Sequence, residues 1–390
     1  MINPFGLSAT KVFIALMVWI SCYLAISTFV LKYKKIKLNL PGFSFFIYLL
    51  IIIWNIFNIC RSFYDGNQPL TTILGNNETS LALLVPFALS FSIDKTNLRT
   101  INKLFVNLII VGMPAYILLL LSMNGSHNFV YDKSFSVIFY GVVFLIPIIP
   151  FEKGKINIII LIGSIFCFYL AVITSYRIML IRIPLLYVSV IAIYINKWFK
   201  LKSILILAIL SLSLPFYFLI QSVVTGESAF EKYSPQTKNP ELTDDTRTFL
   251  YQEVYDDLYK NKMLLIGKGG SGTYYSTYFD EYGGDTSNRL SVEVGILALL
   301  LKGGYIAVFL NLLILFLAIY LALFNTNNHF VMCIGFMLVI HTIILFITNY
   351  IDYSLYNVAL WFFIGVCLSK EIRELNDEEI KNILINGANS

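Results

Sequence analysis

Charge is what this sequence has least of. Asp, Glu, Lys and Arg make up 13% of its 390 residues, where a soluble globular domain carries about 25%. So few charges set the chain outside the soluble class. Cysteine is equally uninformative as chemistry. The five, Cys22, Cys60, Cys167, Cys333 and Cys367, form no C-x-x-C pair and lie within or at the edge of apolar runs, where free cysteine behaves as a small packing residue. No G-x-x-x-x-G-K-[ST] motif is present, no internal repeat and no low-complexity tract. A P-loop nucleotide site and a solenoid are therefore excluded.

What the chain has instead is long apolar runs. Hydrophobic residues make up 58% and aromatics 16%, and the mean hydropathy is +0.76. A helix needs roughly 20 consecutive apolar residues to cross a bilayer core. Runs of that kind are expected at 12–31, 42–60, 79–93, 104–123, 135–150, 156–176, 178–196, 203–220, 304–324, 330–348 and 354–369. The expected fold is an all-α polytopic integral membrane protein with about 11 transmembrane helices, within a range of 10–12. The first run has no small-residue cleavage site and is read as a span rather than a signal peptide. The net charge of +5 reports topology more than any nucleic-acid partner. Lys32, Lys34, Lys35 and Lys37 follow the first run; Lys95, Arg99 and Lys103 the third; Lys153 and Lys155 the fifth; Lys197, Lys200 and Lys202 the seventh. Basic loops face the cytoplasm, so these alternate loops are expected inside, the N-terminus outside and the tail 370–390 inside.

One polar stretch, 221–303, interrupts the pattern, and the alternation places it on the outer face. The expected organisation is N-terminal spans at 1–220, this large extracytoplasmic loop at 221–303, C-terminal spans at 304–369 and a cytoplasmic tail at 370–390. The loop holds seven basic and eleven acidic residues between 221 and 290, so its arginines do not decorate a basic surface. Leu250, Val254 and Leu258 recur at helical spacing, flanked by Tyr251, Tyr255 and Tyr259. The spacing predicts an amphipathic helix over 246–260, with Asp244 or Asp245 as its cap.

Within the loop, Gly267-Lys268-Gly269-Gly270-Ser271-Gly272 spells G-x-G-x-x-G. A dinucleotide turn needs a strand before it, a helix after it and a parallel sheet around both. None of these is predicted here, so nucleotide binding is set aside. A flexible turn is one use of such a segment; backbone that approaches a ligand and aims N–H groups at an anion is another.

The order of features resembles the bacterial O-antigen polymerase and ligase superfamily. Thr174-Ser175-Tyr176-Arg177 stands at a span end. The large loop then opens with Asp245-Thr246-Arg247 ahead of an aromatic amphipathic helix. Leu265-Ile266-Gly267-Lys268-Gly269 follows. Glu293-Val294-Gly295-Ile296-Leu297 then leads back to the membrane through Lys302-Gly303-Gly304. The resemblance covers roughly 156–325 and the span layout around it. It implies a glycosyltransferase in the bacterial cytoplasmic membrane that joins undecaprenyl-pyrophosphate-linked repeat units of O-antigen, capsule or another exopolysaccharide at the outer leaflet. It implies that glycan as donor and acceptor, with membrane lipids, a chain-length regulator and a flippase as further partners. It implies no cofactor, metal or nucleotide sugar, and nothing points to nucleic acid. In the family, an arginine near a span end and others in the loop are thought to engage the lipid pyrophosphate; Arg177 and Arg247 match those positions. Ligases carry a His-Asn step before the chain re-enters the membrane. Here the stretch reads Ser287-Asn288-Arg289-Leu290-Ser291-Val292-Glu293 and has no histidine, which favours a polymerase over a ligase.

The expected catalytic residues are Glu293, Arg247 and Arg177. The expected substrate-binding residues are Arg177, Arg182, Arg247, Arg289, Gly269 and Tyr251. Arg177 and Arg182 interrupt an apolar stretch where an arginine costs about 2.5–3.5 kcal/mol. Such residues face a cavity or partner, or else snorkel to the interface. A pyrophosphate suits them, because guanidinium binds phosphate oxygens bidentately and keeps its charge. Arg247 shares a helix face with Leu250 and Tyr251, or forms a local pair with Asp244 or Glu253. Arg289 and Glu293 read as an ion pair, or Glu293 as a partly buried general base. His127 is an alternative base; His329 and His341 are assigned no role. The pairs Asp244-Asp245 and Asp256-Asp257 lack further metal ligands. Tyr274, Tyr275, Tyr278 and Tyr282 would stack on sugars or form an interfacial belt. A lipid-glycan flippase is the rival from another class and a non-catalytic scaffold a third reading. Charge gathered in one loop favours an enzyme over a flippase.

Overall fold

Apolar runs become helices because lipid offers the backbone no hydrogen bonds, so each segment must satisfy its own. A computed structural model describes residues 9–64, 69–122, 130–152, 154–173, 177–199, 248–277 and 288–386. Its helices are α1 (Ala9–Asn39), α2 (Gly42–Tyr64), α3 (Leu70–Gly75), α4 (Thr96–Ser122), α5 (Val130–Leu145), α6 (Lys155–Ile173), α7 (Arg177–Phe199), α8 (Thr248–Lys260), α9 (Gly295–Phe324), α10 (His329–Leu345), α11 (Leu355–Leu368), α12 (Lys370–Glu374) and α13 (Asp377–Asn386). Five segments are long and apolar enough to cross a membrane: Leu16–Asn39, Gly42–Tyr64, Thr96–Leu118, Lys155–Val172 and Gly295–Phe324. Shorter apolar helices at Ala82–Ile93, Ile138–Ile148, Ile178–Tyr194, His329–Leu345 and Leu355–Leu368 fall on further expected spans. The expected span 203–220 lies outside the described residues.

The outer faces fit a bilayer. Leu24, Val111, Leu118, Ile165 and Val188 are all exposed, and an apolar face of this kind is at home against lipid tails. The chain is a membrane-embedded, multi-pass, all-α protein. The expected span 79–93 is a 3₁₀ helix over Ala82–Ile93, with Pro86 inside it. At about 2.0 Å per residue a 3₁₀ helix outreaches an α-helix of equal length, so 12 residues extend about 24 Å. This segment is buried against α1, α2 and α11. Ser90 and Ser92 turn their hydroxyls onto the carbonyls of Phe87 and Leu89, both at 2.7 Å.

Two ends of the bundle differ in character. At the tail end, Lys32 and Lys35 both pair with Asp94. Arg373 Nη1 donates to the Asn325 carbonyl at 2.6 Å, and His329 Nδ1 lies 2.7 Å from Asp377 Oδ2. Asn328 caps α10 and ties it to the Ile372 and Leu375 carbonyls. At the other end, the loop end, α8 lies over α9 and α10. Leu250, Val254 and Leu258 are buried there in a second apolar core with Val292, Val294 and Leu297. The helical spacing of those three residues is thus realised. The expected cap, Asp244 or Asp245, lies outside the described residues. Beyond α8, a short antiparallel pair, β1 (Tyr274–Tyr275) and β2 (Asn288–Arg289), sets Tyr274 opposite Arg289.

Candidate functional site at the break in helix α9

Helix α9 is not continuous. At Gly304 the backbone turns to φ 65°, ψ −167°, a region open essentially to glycine alone. A break in a helix strands carbonyls on one side and N–H groups on the other. The glycine-rich segment 262–273 takes both up. Lys268 N donates to the Leu301 carbonyl at 2.7 Å and Gly269 N to the Lys302 carbonyl at 2.9 Å. Tyr305 N and Ile306 N return the bond to the Leu264 and Leu265 carbonyls at 2.9 and 3.3 Å. The approach leaves no room for side chains: a Cβ on Gly267 would lie 2.6 Å from the backbone nitrogens of Gly303 and Gly304. The glycines of 267–272 serve this interlock.

Helix α2 clamps the loop from its other side. Arg61 Nη1 and Nη2 donate to the Ile266 and Gly267 carbonyls, each at 2.9 Å. Gly270 N donates to the Asn58 carbonyl at 3.3 Å and Ser271 N to Ser62 Oγ at 3.1 Å. Trp54 Nε1 holds the Gly303 carbonyl at 3.0 Å. Lys268 pairs with Asp257 of α8 at 2.5 Å, so one loop joins α2, α8 and α9.

Beneath the break sits Lys302, 3% exposed. Its ammonium has no hydrogen-bond partner among the described residues. It lines a cavity of about 20 Å³ with Asn55, Asn311, Ile351, Asn357 and Trp361. The amide nitrogens of Asn55, Asn311 and Asn357 each donate once, to the carbonyls of Leu83, Ala307 and Asp352, at 2.9, 2.8 and 2.9 Å. Glu78 and Asp352 act on Lys302 electrostatically, yet neither closes a hydrogen bond to it. Asp352, partly buried in the loop 346–354, accepts from Ser354 Oγ at 2.6 Å. Burial pushes its carboxyl up to about 6; the Ser354 bond opposes this, Glu78 adds to it and Lys302 opposes it.

The same loop helps to enclose a second buried cation. Arg182 is fully buried. It hydrogen-bonds Tyr356 Oη through Nη2, and its guanidinium lies 4.7 Å from the Tyr356 ring centre and 5.6 Å from that of Tyr350. His341 Nδ1 approaches Tyr356 Oη at 2.8 Å. Nε and Nη1 of Arg182 have no hydrogen-bond partner among the described residues. The tyrosine cage offsets part of the burial cost, since cation–π contacts contribute about 0.5–2 kcal/mol.

The structure places the expected residues as follows. Arg247 lies outside the described residues, as do His127, Tyr278 and Tyr282. Arg177 begins α7. Glu293 is exposed, its side chain at 47%, and pairs with Arg289 at 3.6 Å; its carbonyl accepts from Asn349 N at 2.7 Å. The N–H of Gly269 is spent on α9, as above. Tyr251 Oη donates to the Phe346 carbonyl at 2.6 Å, tying α8 to the loop 346–354. Tyr274 is buried, which pushes its phenol up to about 12 against the pull of Arg289. Tyr255 and Tyr259 stack on the exposed face of α8, 6.2 Å apart. Sequence reasoning missed Arg61, Glu78, Lys302 and Asp352. The signal for Lys302 was available: a lysine between an apolar run and a glycine pair. No family model, curated protein or solved structure matches the chain.

Proposed function

We propose that the chain is a membrane glycosyltransferase that polymerises lipid-pyrophosphate-linked oligosaccharide repeats. The observation that carries this reading is Arg182: a fully buried guanidinium with two nitrogens that have no hydrogen-bond partner among the described residues, at the end of the bundle covered by α8. A buried charge costs several kcal/mol unless it is paired, and a phosphate oxygen is the natural complement of a guanidinium. The order of Arg177, Arg247, the glycine loop and the Lys302-Gly303-Gly304 step supports the same reading. Fixed positive charge at the pyrophosphate stabilises the charge that grows on the leaving group. Acceptor attack at the anomeric carbon then needs no nucleotide sugar.

The test is polymerisation by the purified protein. The substrate is a synthetic undecaprenyl-pyrophosphate repeat, with chelator and without nucleotide sugar. A ladder of multiples is the expected product, and Arg182→Gln lowers its rate about 10²-fold. Substrate left unchanged by the wild-type protein sinks the reading. A lipid-glycan flippase has one observation in its favour, the interrupted α9 with a buried lysine at its break, since transporters build binding sites at broken helices. Scoring substrate sidedness in sealed vesicles separates the two.

A further inference from the structure

We infer that the turn after α8 and the tyrosine face of α8 rest on the bilayer, at the boundary between headgroups and acyl chains, at the level where α9 breaks. The partner is a phospholipid surface, and it is independent of the reaction the chain performs.

Helix α9 fixes the level. Its 30 residues would reach about 45 Å at about 1.5 Å each, too long for a hydrocarbon core of about 30 Å. The break at Gly304 divides it into two unlike parts. Residues 295–304 are all buried, most of them in the core shared with α8, so protein and not lipid surrounds them. Beyond the break, Tyr305, Phe309, Phe316, Tyr320 and Phe324 are exposed. Their spacing puts them on one helix face, and a face of this kind belongs against lipid tails. Phe324 ends the helix at the tail end, where Arg373 holds the Asn325 carbonyl. The stretch 305–324 spans about 30 Å, the thickness of the core itself. With Phe324 at one surface of the bilayer, Tyr305 reaches the other.

What docks at the break carries the apolar face onward. Tyr305 N and Ile306 N donate to the Leu264 and Leu265 carbonyls, so Leu265 stands at the level of Tyr305. Its side chain is 61% exposed. It sits on a tight turn closed by Gly267 N onto the Met263 carbonyl at 2.7 Å, and Met263 N holds the Leu258 carbonyl of α8 at 2.8 Å. Helix α8 itself has three faces. Leu250, Val254 and Leu258 enter the protein core. Tyr255 and Tyr259 form a second face, exposed and stacked with their rings 11° from parallel. Asp256 and Lys260 form the third. An aromatic face beside a charged one suits a helix lying in the interfacial plane. Tyrosine fits that zone because its ring is apolar and its hydroxyl polar.

The experiment places nitroxide labels on the full chain in nanodiscs of phosphatidylethanolamine and phosphatidylglycerol. Cys60→Ser provides the background, since the other four cysteines are buried. Tyr255→Cys, Asp256→Cys, Tyr259→Cys, Lys260→Cys and Leu265→Cys are labelled one at a time, and Phe309→Cys marks lipid. Power saturation compares collision with oxygen, which concentrates in lipid, and with a water-soluble nickel chelate. Labels at 255, 259 and 265 are expected to favour oxygen several-fold, as the label at 309 does, and labels at 256 and 260 to favour nickel. A label at 265 that favours nickel shows a turn standing in water and overturns the proposal. A label there that is immobile and reached by neither reagent shows a protein cover, from another segment or a second copy, and overturns it too. If Leu265→Cys does not fold, the alternation along α8 carries the test, and nickel preferred as strongly at 255 and 259 as at 256 and 260 overturns it.

Discussion

At the scale of single residues, the two best-placed carboxylates outside the spans respond to pH in opposite senses. Asp352 is raised from 3.8 to about 6, burial first. Its folded form therefore holds a proton that the unfolded chain has already released between those values. Stability falls as pH rises through that window, because the native state binds more protons there. The full cost is of order 3 kcal/mol, at about 1.4 kcal/mol per pH unit. Asp94 runs the other way. Burial works against it, but the bonds from Lys32 and Lys35 outweigh burial and hold its carboxyl below the usual range. Its contribution is present above the unfolded value and is lost as pH falls through the folded one. The two are separated by comparing D352N with the wild type. The melting temperature of the wild type, relative to D352N, should drop between pH 4 and 6.5 as Asp352 ionises. A constant difference across that range would show that Asp352 titrates normally. Residues of this kind were the hardest to read in advance. Asp352 looks like an ordinary loop acid in the sequence; the packing of loop 346–354 between α10 and α11 makes it unusual, and that packing is long-range.

At the scale of elements, periodicity was legible and interruption was not. Leu250, Val254 and Leu258 announce α8 because three turns of apolar residues have few other uses, and all three are buried. The run at 79–93 was legible as apolar, but apolarity cannot tell 3₁₀ from α winding, and Pro86 belongs to either. The start of α9 at Gly295 was obscured because Lys302-Gly303-Gly304 reads as the end of a polar loop. It is instead a break within one helix, closed by hydrogen bonds from a segment about 35 residues earlier in the chain. Gly304→Ala tests that interlock. The new Cβ would sit 2.2 Å from the Leu265 carbonyl oxygen, at a φ of +65°, so the clash and the backbone strain add. Gly42→Ala, with nothing within 4 Å of its Cβ, is the control. Limited trypsin digestion should cut Gly304→Ala after Lys262 and Lys268 much faster than either the wild type or the control. Equal rates would mean that the loop is held by something other than the break.

At the scale of the whole molecule, orientation is what joins fold to function. The spans were legible because roughly 20 apolar residues in a row have no other stable place. The expected arginine site was legible only as types and order, since Arg247 lies outside the described residues and Arg177 contributes its place at the start of α7. Sidedness rests on charge. Lys32, Lys35 and Lys95 gather at the tail end with Glu371 and Asp94, and basic residues flanking spans stay in the cytoplasm. On the proposed function the loop end, with α8, the glycine interlock and both buried cations, is expected to face outward, where a lipid-linked glycan would be met. Cysteine accessibility decides this directly. Cys60 is the exposed native thiol, and the other four are buried, so Cys60→Ser supplies a quiet background. In that background Asn261→Cys, on the exposed C-terminal side of α8, should react with a membrane-impermeant maleimide in intact cells. Glu378→Cys, on the exposed face of α13, should react only after permeabilisation. The reverse pattern would put the Lys302 cavity and Arg182 on the cytoplasmic side. An outer-leaflet polymerase could not work from there, and a cytoplasmic-face reaction would have to be sought for the same two cations.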